Sequence, residues 1–279
     1  MTLTAILGRY MTAIPALASS FVTETVTVAG SRLRIPGGRA VRLSVIAGNA
    51  RLRAVLDARV HAGDTVIDVG ANIGAVVVHA AHRVGPAGRV LAIEPALDNV
   101  EVLRHNLAMN GLQQVSIIEA AAGCCRGART LYVRGEVSAV NSFYAESVYA
   151  TVTAQTTVPV VPLDELWDGP VALVKIDVEG AELDVLAGMP RLLRQPGLTL
   201  TVEWHPLLQR AAGYAVNALP QALLDAGFVV QSVSHVGVTR LRESGIQALS
   251  GRLLAAGRPV ELLCERPHAL VRREASGLP

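Results

Sequence analysis

Thr65-Val66-Ile67-Asp68-Val69-Gly70-Ala71-Asn72-Ile73-Gly74 is the stretch that decides the fold. Its first three residues read as a buried strand, and the run that follows, Ala75-Val76-Val77-Val78-His79-Ala80-Ala81, reads as a packed helix. Strand, glycine turn and helix is the geometry in which backbone N–H groups and a helix N-terminus come close to a ligand. Asp68 stands at the carboxyl end of the strand, where open α/β sheets bind their ligands.

From about Asp64 onward, buried strands alternate with helices, which implies a parallel sheet with crossover connections. Strands are expected at Thr65–Val69, Arg89–Ile93, Val115–Glu119, Val171–Asp177, Leu198–Glu203, Phe228–Val233 and Val260–Cys264. Helices are expected over Gly74–Val84, from Leu97 to a stop at Asn110-Gly111, over Leu163–Trp167, after Asp177 through Leu186, and over Pro220–Ala226. Residues 123–157 read as irregular, with one strand at Arg129–Val133. Residues 1–60 have another character. Val26–Val28, Arg32–Ile35 and Val41–Val45 alternate with period two between Gly30 and Pro36-Gly37-Gly38, as in a small antiparallel meander. The expected organisation is therefore an extension over 1–60, serving as a lid or a contact between chains, and an α/β domain over 61–279.

Composition narrows the partners. Half of the 279 residues are apolar and the net charge is only +2, so the chain can bury a large core. Arg32, Arg34, Arg39, Arg42, Arg51 and Arg53 alternate with apolar residues, as on solvated strand faces rather than along a nucleic-acid groove. Scarce aromatics also argue against a base-stacking platform. Cys124, Cys125 and Cys264 form neither a disulfide framework nor a metal-ligand spacing, which fits a reduced, cytoplasmic setting. Met1–Ser20 loosely imitates a secretory signal but is broken by Pro15, and reads as an amphipathic helix or lid. No stretch has the length and apolar continuity of a membrane span. The strands within residues 22–46 are candidates for pairing between copies of the chain.

Three groups of residues carry chemistry. The turn places Gly70, Ala71, Asn72 and Gly74 against a ligand, with Asp68 beneath. Glu94-Pro95 ends the neighbouring strand, where a carboxylate accepts hydrogen bonds from the ribose of an adenosine. Glu119-Ala120-Ala121 ends the third strand, where an adenine would lie against small residues. Nicotinamide cofactors and S-adenosylmethionine share these needs. The usual G-x-G-x-x-G of dinucleotide sites lacks its middle glycine here and carries Asn72 in the turn, which favours a ligand without pyrophosphate.

Lys175-Ile176-Asp177-Val178-Glu179-Gly180 is the second constellation: three charges at alternate positions emerging from an apolar strand. Carboxylates so placed can orient a hydroxyl or take its proton. Glu203-Trp204-His205 ends the next strand along the same edge, making His205 an alternative base. Asp177, Glu203 and His205 are the alternative in which a divalent cation binds, although no compact metal motif is present and none is expected.

Asp68–Gly74, Glu94-Pro95, Asn106 with Asn110, and Lys175-Ile176-Asp177-Val178-Glu179-Gly180-Ala181-Glu182 together resemble the FkbM family of S-adenosylmethionine-dependent methyltransferases, from roughly Gly63 to Glu203. The resemblance implies a Rossmann-like, mostly parallel seven-stranded sheet with helices on both faces and its last strand antiparallel. It implies methylation of a hydroxyl on a small molecule: a sugar, polyketide or other natural product. Asp68, Gly70, Asn72, Gly74 and Glu94 carry over as cofactor residues, and Lys175, Asp177 and Glu179 as the active-site group. The rival readings are a nicotinamide-dependent oxidoreductase on a similar sheet and a cofactor-binding module without chemistry.

Overall fold

The structure is a computed structural model that describes residues 23–37, 49–134, 141–145, 151–234 and 237–267. The expected helix in Met1–Ser20 and the expected strand at Val41–Val45 lie outside these residues. In chain order the described elements begin with a hairpin, β1 (Thr23–Val28) and β2 (Ser31–Pro36), and helix α1 (Ala50–Arg59). The alternating part continues as β3 (Thr65–Val69), α2 (Ala75–Val84), β4 (Arg89–Ile93), α3 (Leu97–Met109) and β5 (Val115–Ile118). A small separate sheet follows, from β6 (Ala121–Ala122), β7 (Gly127–Arg134) and β8 (Val152–Val161). Then come α4 (Leu163–Leu166), β9 (Leu173–Ile176), α5 (Glu182–Ala187), α6 (Pro190–Leu193), β10 (Thr199–Trp204), α7 (Pro206–Ala211) and α8 (Ala218–Asp225). The last are β11 (Val229–Ser234), β12 (Gly237–Arg240), α9 (Glu243–Ala256) and β13 (Val260–Glu265).

The main sheet runs β12-β11-β13-β10-β9-β3-β4-β5. The pairs from β10 across to β5 are parallel, while β13 runs antiparallel to both β10 and β11. The expected seven strands are all present, with the reversed last strand. β12 adds an eighth at the edge through a hairpin from β11. Its four residues are all exposed, so no apolar pattern announces it. From β3 the chain moves outward to β4 and β5 and then returns to β9 on the other side of β3. That reversal leaves a crevice at the carboxyl ends of β3 and β9, the position where open α/β sheets bind ligands.

Side-chain alternation divides the core between the two faces. Ile67, Val69, Val174, Ile176, Leu200, Val202 and Trp204 pack with Leu186, Met189, Leu192 and Leu223. Val66, Val90, Ala92 and Leu173 pack on the other face with Val77, Val78, Ala81 and Leu103. Each fully buried aliphatic side chain contributes roughly 1.5–3 kcal/mol. Asp68 and Lys175 share the alternation of Val66 and Leu173, and sit in register on adjacent strands.

Two expectations need correction. Arg51 and Arg53 lie on helix α1, not on a strand, because Leu52, Val55 and Leu56 at helical spacing are the buried residues there. Residues 152–157, read as irregular, belong to β8, which pairs antiparallel with all of β7; its outer face is polar and exposed. Cys124 and Cys125 are exposed free thiols in the loop between β6 and β7. Helices α6, α7 and α9 are additional to the helices expected from the sequence. Among the described residues, no helix is long and apolar enough to cross a membrane.

The β1–β2 hairpin joins the domain through two asparagines one turn apart, Asn106 on α3 and Asn110 at its C-terminal cap. Asn106 accepts from Arg34 N at 2.7 Å and donates to Arg34 O at 3.1 Å and Ile73 O at 2.8 Å. Asn110 accepts from Arg32 N at 2.9 Å and donates to Arg32 O at 2.7 Å. The side-chain amides thus act as the missing neighbour strand of β2, while Leu33 and Ile35 point into the core. Replacing the fully buried Asn106 by Ala strands three backbone groups. Asn106→Ala should lower unfolding free energy by about 2–3 kcal/mol in urea titrations, whereas exposed positions of β12 should tolerate Ala with little change.

Candidate active site

The turn after β3 is held so tightly that it and the end of β9 form one unit. Gly70 has φ +78°, and a Cβ there would lie 1.9 Å from Asp177 O. No other residue fits, because the obstruction is backbone. Gly74 takes φ +86°, a conformation that favours glycine, and packs against the side-chain end of Leu103. The N–H groups of Gly70 and Ala71 both donate to Ile93 O at 3.0 Å, and that of Gly74 to Ala71 O at 2.9 Å. Asn72 N donates to Glu94 Oε2 at 2.8 Å, and Ile73 N to Asn72 Oδ1 at 2.7 Å. Every amide from Gly70 to Gly74 is therefore satisfied within the protein. A turn that cradles phosphate needs amides pointing at the anion.

Glu94 is 5% exposed, at the end of β4. Its Oε1 accepts from Ala96 N at 2.9 Å and Asn99 Nδ2 at 3.1 Å. Burial raises its pKa, and these N–H donors pull it back toward the ionised form. Three donors leave a carboxylate with room for one more. Pro95 follows at an intermediate burial, and Ala71, Ala120 and Ala121 are buried. Glu119 instead lies at the surface, where Arg104 of α3 holds its carboxylate.

Lys175 is the hub between the turn and the acidic residues. Its Nζ donates to Gly70 O at 2.8 Å and lies 3.1 Å from Asp68 Oδ1 and 3.6 Å from Asp177 Oδ2. Burial works against its charge, but Asp68 and Asp177 outweigh it and the pKa is raised. Asp68 has no exposure at all. Asp68 and Lys175 thus form a buried ion pair beneath the turn, and Lys175 stands as the counter-charge of the acidic residues beside it.

Asp177, Glu179 and Glu203 come together: one carboxylate oxygen from each lies within 4.8 Å of the others. Asp177 is the open member, its side chain 39% exposed. Glu179 takes a left-handed backbone, φ +54°, and Ser142 Oγ donates to its carbonyl at 2.8 Å. The chain has left the strand by this point, so Glu179 reaches the site by a turn and not by strand alternation. Burial, then Asp177, pushes the Glu179 and Glu203 carboxyls well above their usual range. The cation set Asp177, Glu203 and His205 is corrected in one member. Glu179 replaces His205, which leaves β10 to begin α7 and is buried, with a pKa lowered to about 4 by desolvation.

Sequence reasoning missed two carboxylates. Glu261 of β13 faces Glu203 of β10 across the antiparallel pair, and burial raises its pKa to about 8. A single charge in the apolar run Val260–Cys264 was the available signal. Glu182 is buried and accepts from Gly180 N at 3.0 Å and Gln209 Nε2 at 2.6 Å.

Residues 68–230 match the family described as the methyltransferase FkbM domain, more than half of the chain. The chain belongs to the FkbM methyltransferase family. A curated relative from Sulfurisphaera tokodaii, named "Probable cobalt-precorrin-6B C(15)-methyltransferase (decarboxylating)", is 34% identical over 96 residues, 32% of this chain and 50% of the relative. The chain spans about half the length of the curated relatives it matches. An FkbM methyltransferase structure from Methylobacillus flagellatus is similar at 15% identity and TM-score 0.44, covering 81% of this chain and 54% of that one. The O-methyltransferase TomG from Streptomyces achromogenes, solved with SAM, is similar at 14% identity and TM-score 0.45, covering 79% and 80%.

Burial of Glu182 in this FkbM domain raises its pKa from 4.5 to about 7, against the donors Gly180 N and Val178 N. A carboxyl with a raised native pKa binds its proton more tightly folded than unfolded. Its contribution to stability is present below about pH 4.5 and is lost as the pH rises toward 7. Glu182→Gln removes this titration. The fall in unfolding free energy between pH 5 and pH 8, from urea midpoints, should shrink by roughly 2–3 kcal/mol in that variant.

Proposed function

We propose that this protein is an S-adenosylmethionine-dependent O-methyltransferase whose acceptor is a hydroxyl group of a small molecule, a sugar, polyketide or other natural product. The observation that carries the reading is the contact of the glycine turn with the end of β9. With Asp177 O where a Gly70 Cβ would be, the cofactor turn lies directly against the strand end that carries the Asp177 carboxylate.

The residues present fit the cofactor. Gly70, Ala71, Asn72 and Gly74 would border it, Glu94 would take a ribose hydroxyl with its remaining capacity, and Pro95, Ala120 and Ala121 would face the base. The internally satisfied amides support a ligand without pyrophosphate, and so weigh against the nicotinamide reading. When bound, S-adenosylmethionine supplies an activated methyl group.

The chain's own part is to hold and deprotonate the acceptor. An alcohol is a weak nucleophile until its proton is leaving, and Asp177 is the exposed carboxylate placed to take that proton. Glu179 and Glu203 border the same space. Lys175 acts from below, giving Asp177 a counter-charge and locking it to the turn. His205, neutral at pH 7, is the second choice of base. Holding the acceptor in line with the methyl group adds to the rate by removing the entropy cost of alignment.

The curated relatives are named as C-methyltransferases, so carbon is the alternative methyl acceptor. Free exposed thiols at Cys124 and Cys125 support a reduced, cytoplasmic setting. The outer edge of β1 pairs with no strand among the described residues, and would serve a contact between chains. Asp177→Asn should still bind S-adenosylmethionine in calorimetry but transfer labelled methyl to an acceptor at least about 100-fold more slowly. Near-normal transfer would remove Asp177 from this role, and label stable on carbon would replace O-methylation.

A further inference from the structure

We propose that Asp177, Glu179 and Glu203 bind a hard divalent cation, Mg²⁺ or Mn²⁺, at the carboxyl edge of the sheet. Only the cation's use, holding oxygen atoms of the acceptor, rests on the methyl-transfer reading above; its binding does not.

The ligand geometry suits such an ion. One oxygen from each residue lies within 4.8 Å of the others. Metal–oxygen bonds of about 2.1 Å put neighbouring ligands about 3 Å apart and opposite ligands about 4 Å apart, so small side-chain adjustments complete the set. The donors come from two adjacent strand ends: Asp177 and Glu179 after β9, and Glu203 in β10. All are carboxylate oxygens, the donor class of Mg²⁺, Mn²⁺ and Ca²⁺ rather than of zinc or copper. The half-exposed Asp177 leaves the set open on one side, where water or an acceptor hydroxyl can complete the coordination.

A second observation lies in the unpartnered oxygens. Glu179 Oε2 is buried and has no hydrogen-bond partner. Glu261 Oε1, on the residue facing Glu203, is also buried without one. A buried acceptor that accepts nothing costs about 1–3 kcal/mol, more when charged. Lys175 and Arg134 act on Glu179 through their charge but neither donates a hydrogen bond to its Oε2; Asp68 and Gly70 O engage the Lys175 Nζ. Glu182 donates none either, being an acid already bonded to Gly180 N and Gln209 Nε2. A divalent cation supplies two positive charges at the point where the carboxylates converge, and it can take the free oxygen of Glu179 directly.

The test is Mn²⁺ titration of the full chain after treatment with EDTA, followed by calorimetry and by the loss of the free Mn²⁺ electron-spin signal. One saturable Mn²⁺ per chain, displaced by Mg²⁺, is expected. Glu203→Gln, nearly isosteric, should weaken Mn²⁺ at least tenfold, and Glu179→Gln should do the same. Glu165→Gln, at the surface pair with Arg126, should leave it unchanged. Circular dichroism and S-adenosylmethionine binding report whether each variant is folded. Absence of saturable Mn²⁺ binding overturns the proposal, as does equal affinity in the wild type and both folded Gln variants. Mn²⁺ binding without methyl transfer would keep the cation site and reject the proposed function. Full transfer in EDTA, with no Mn²⁺ bound, would do the reverse.

Discussion

The ammonium group of Lys175 joins the parts of the site. It touches Asp68 of β3, the carbonyl of Gly70 in the turn and the carboxylate of Asp177, so one charge ties a strand, a turn and an exposed carboxylate together. The strand pairing makes this possible: Asp68 and Lys175 are register partners on parallel neighbours, with side chains on the same face. A buried carboxylate without its cation would be strongly destabilising. The clamp sits where the strand order reverses, and so fixes the crevice that the fold leaves open.

Much of the rest follows from crowding around that clamp. Gly70 and Asp177 approach so closely that a Cβ cannot intervene. Glu94 restrains the turn from the opposite side through Asn72 N, and Asn106 reaches Ile73 O from α3. The same Asn106 fastens the β1–β2 hairpin, so the N-terminal hairpin and the turn share one support. Electrostatically the site is lopsided. Asp177, Glu179, Glu203, Glu261 and Glu182 lie near one another, and burial raises Glu179, Glu182, Glu203 and Glu261 above the usual carboxylate range. Such an excess of carboxyls can be relieved by a bound cation as well as by protons.

The strand–turn–helix unit, Glu94 and the Lys175–Glu179 group are all legible in the sequence, because each joins an apolar run to polar residues at a fixed offset. The seven strands of the central sheet are legible for the same reason. What was hidden depended on register or on weak pattern. Nothing local in Lys175 says that its partner is Asp68, 107 residues earlier, since that follows only when β9 lies beside β3. Glu261 belongs to the site because β13 inserts antiparallel beside β10. Helix α9, Glu243–Ala256, carries Ser and Gly within it and buries only Ile246 and Ser250, so its apolar stripe is faint. By alternation alone His205 would continue β10 into the site, but the strand ends at Trp204.

The central claim is that the turn from Gly70 to Gly74, its amides already satisfied, seats an adenosine without a pyrophosphate. Calorimetry of the wild-type chain with S-adenosylmethionine and with NAD, in turn, measures this directly. Saturable one-to-one binding of S-adenosylmethionine and no measurable heat from NAD at the same concentrations are expected. Saturable binding of NAD with none of S-adenosylmethionine would contradict it.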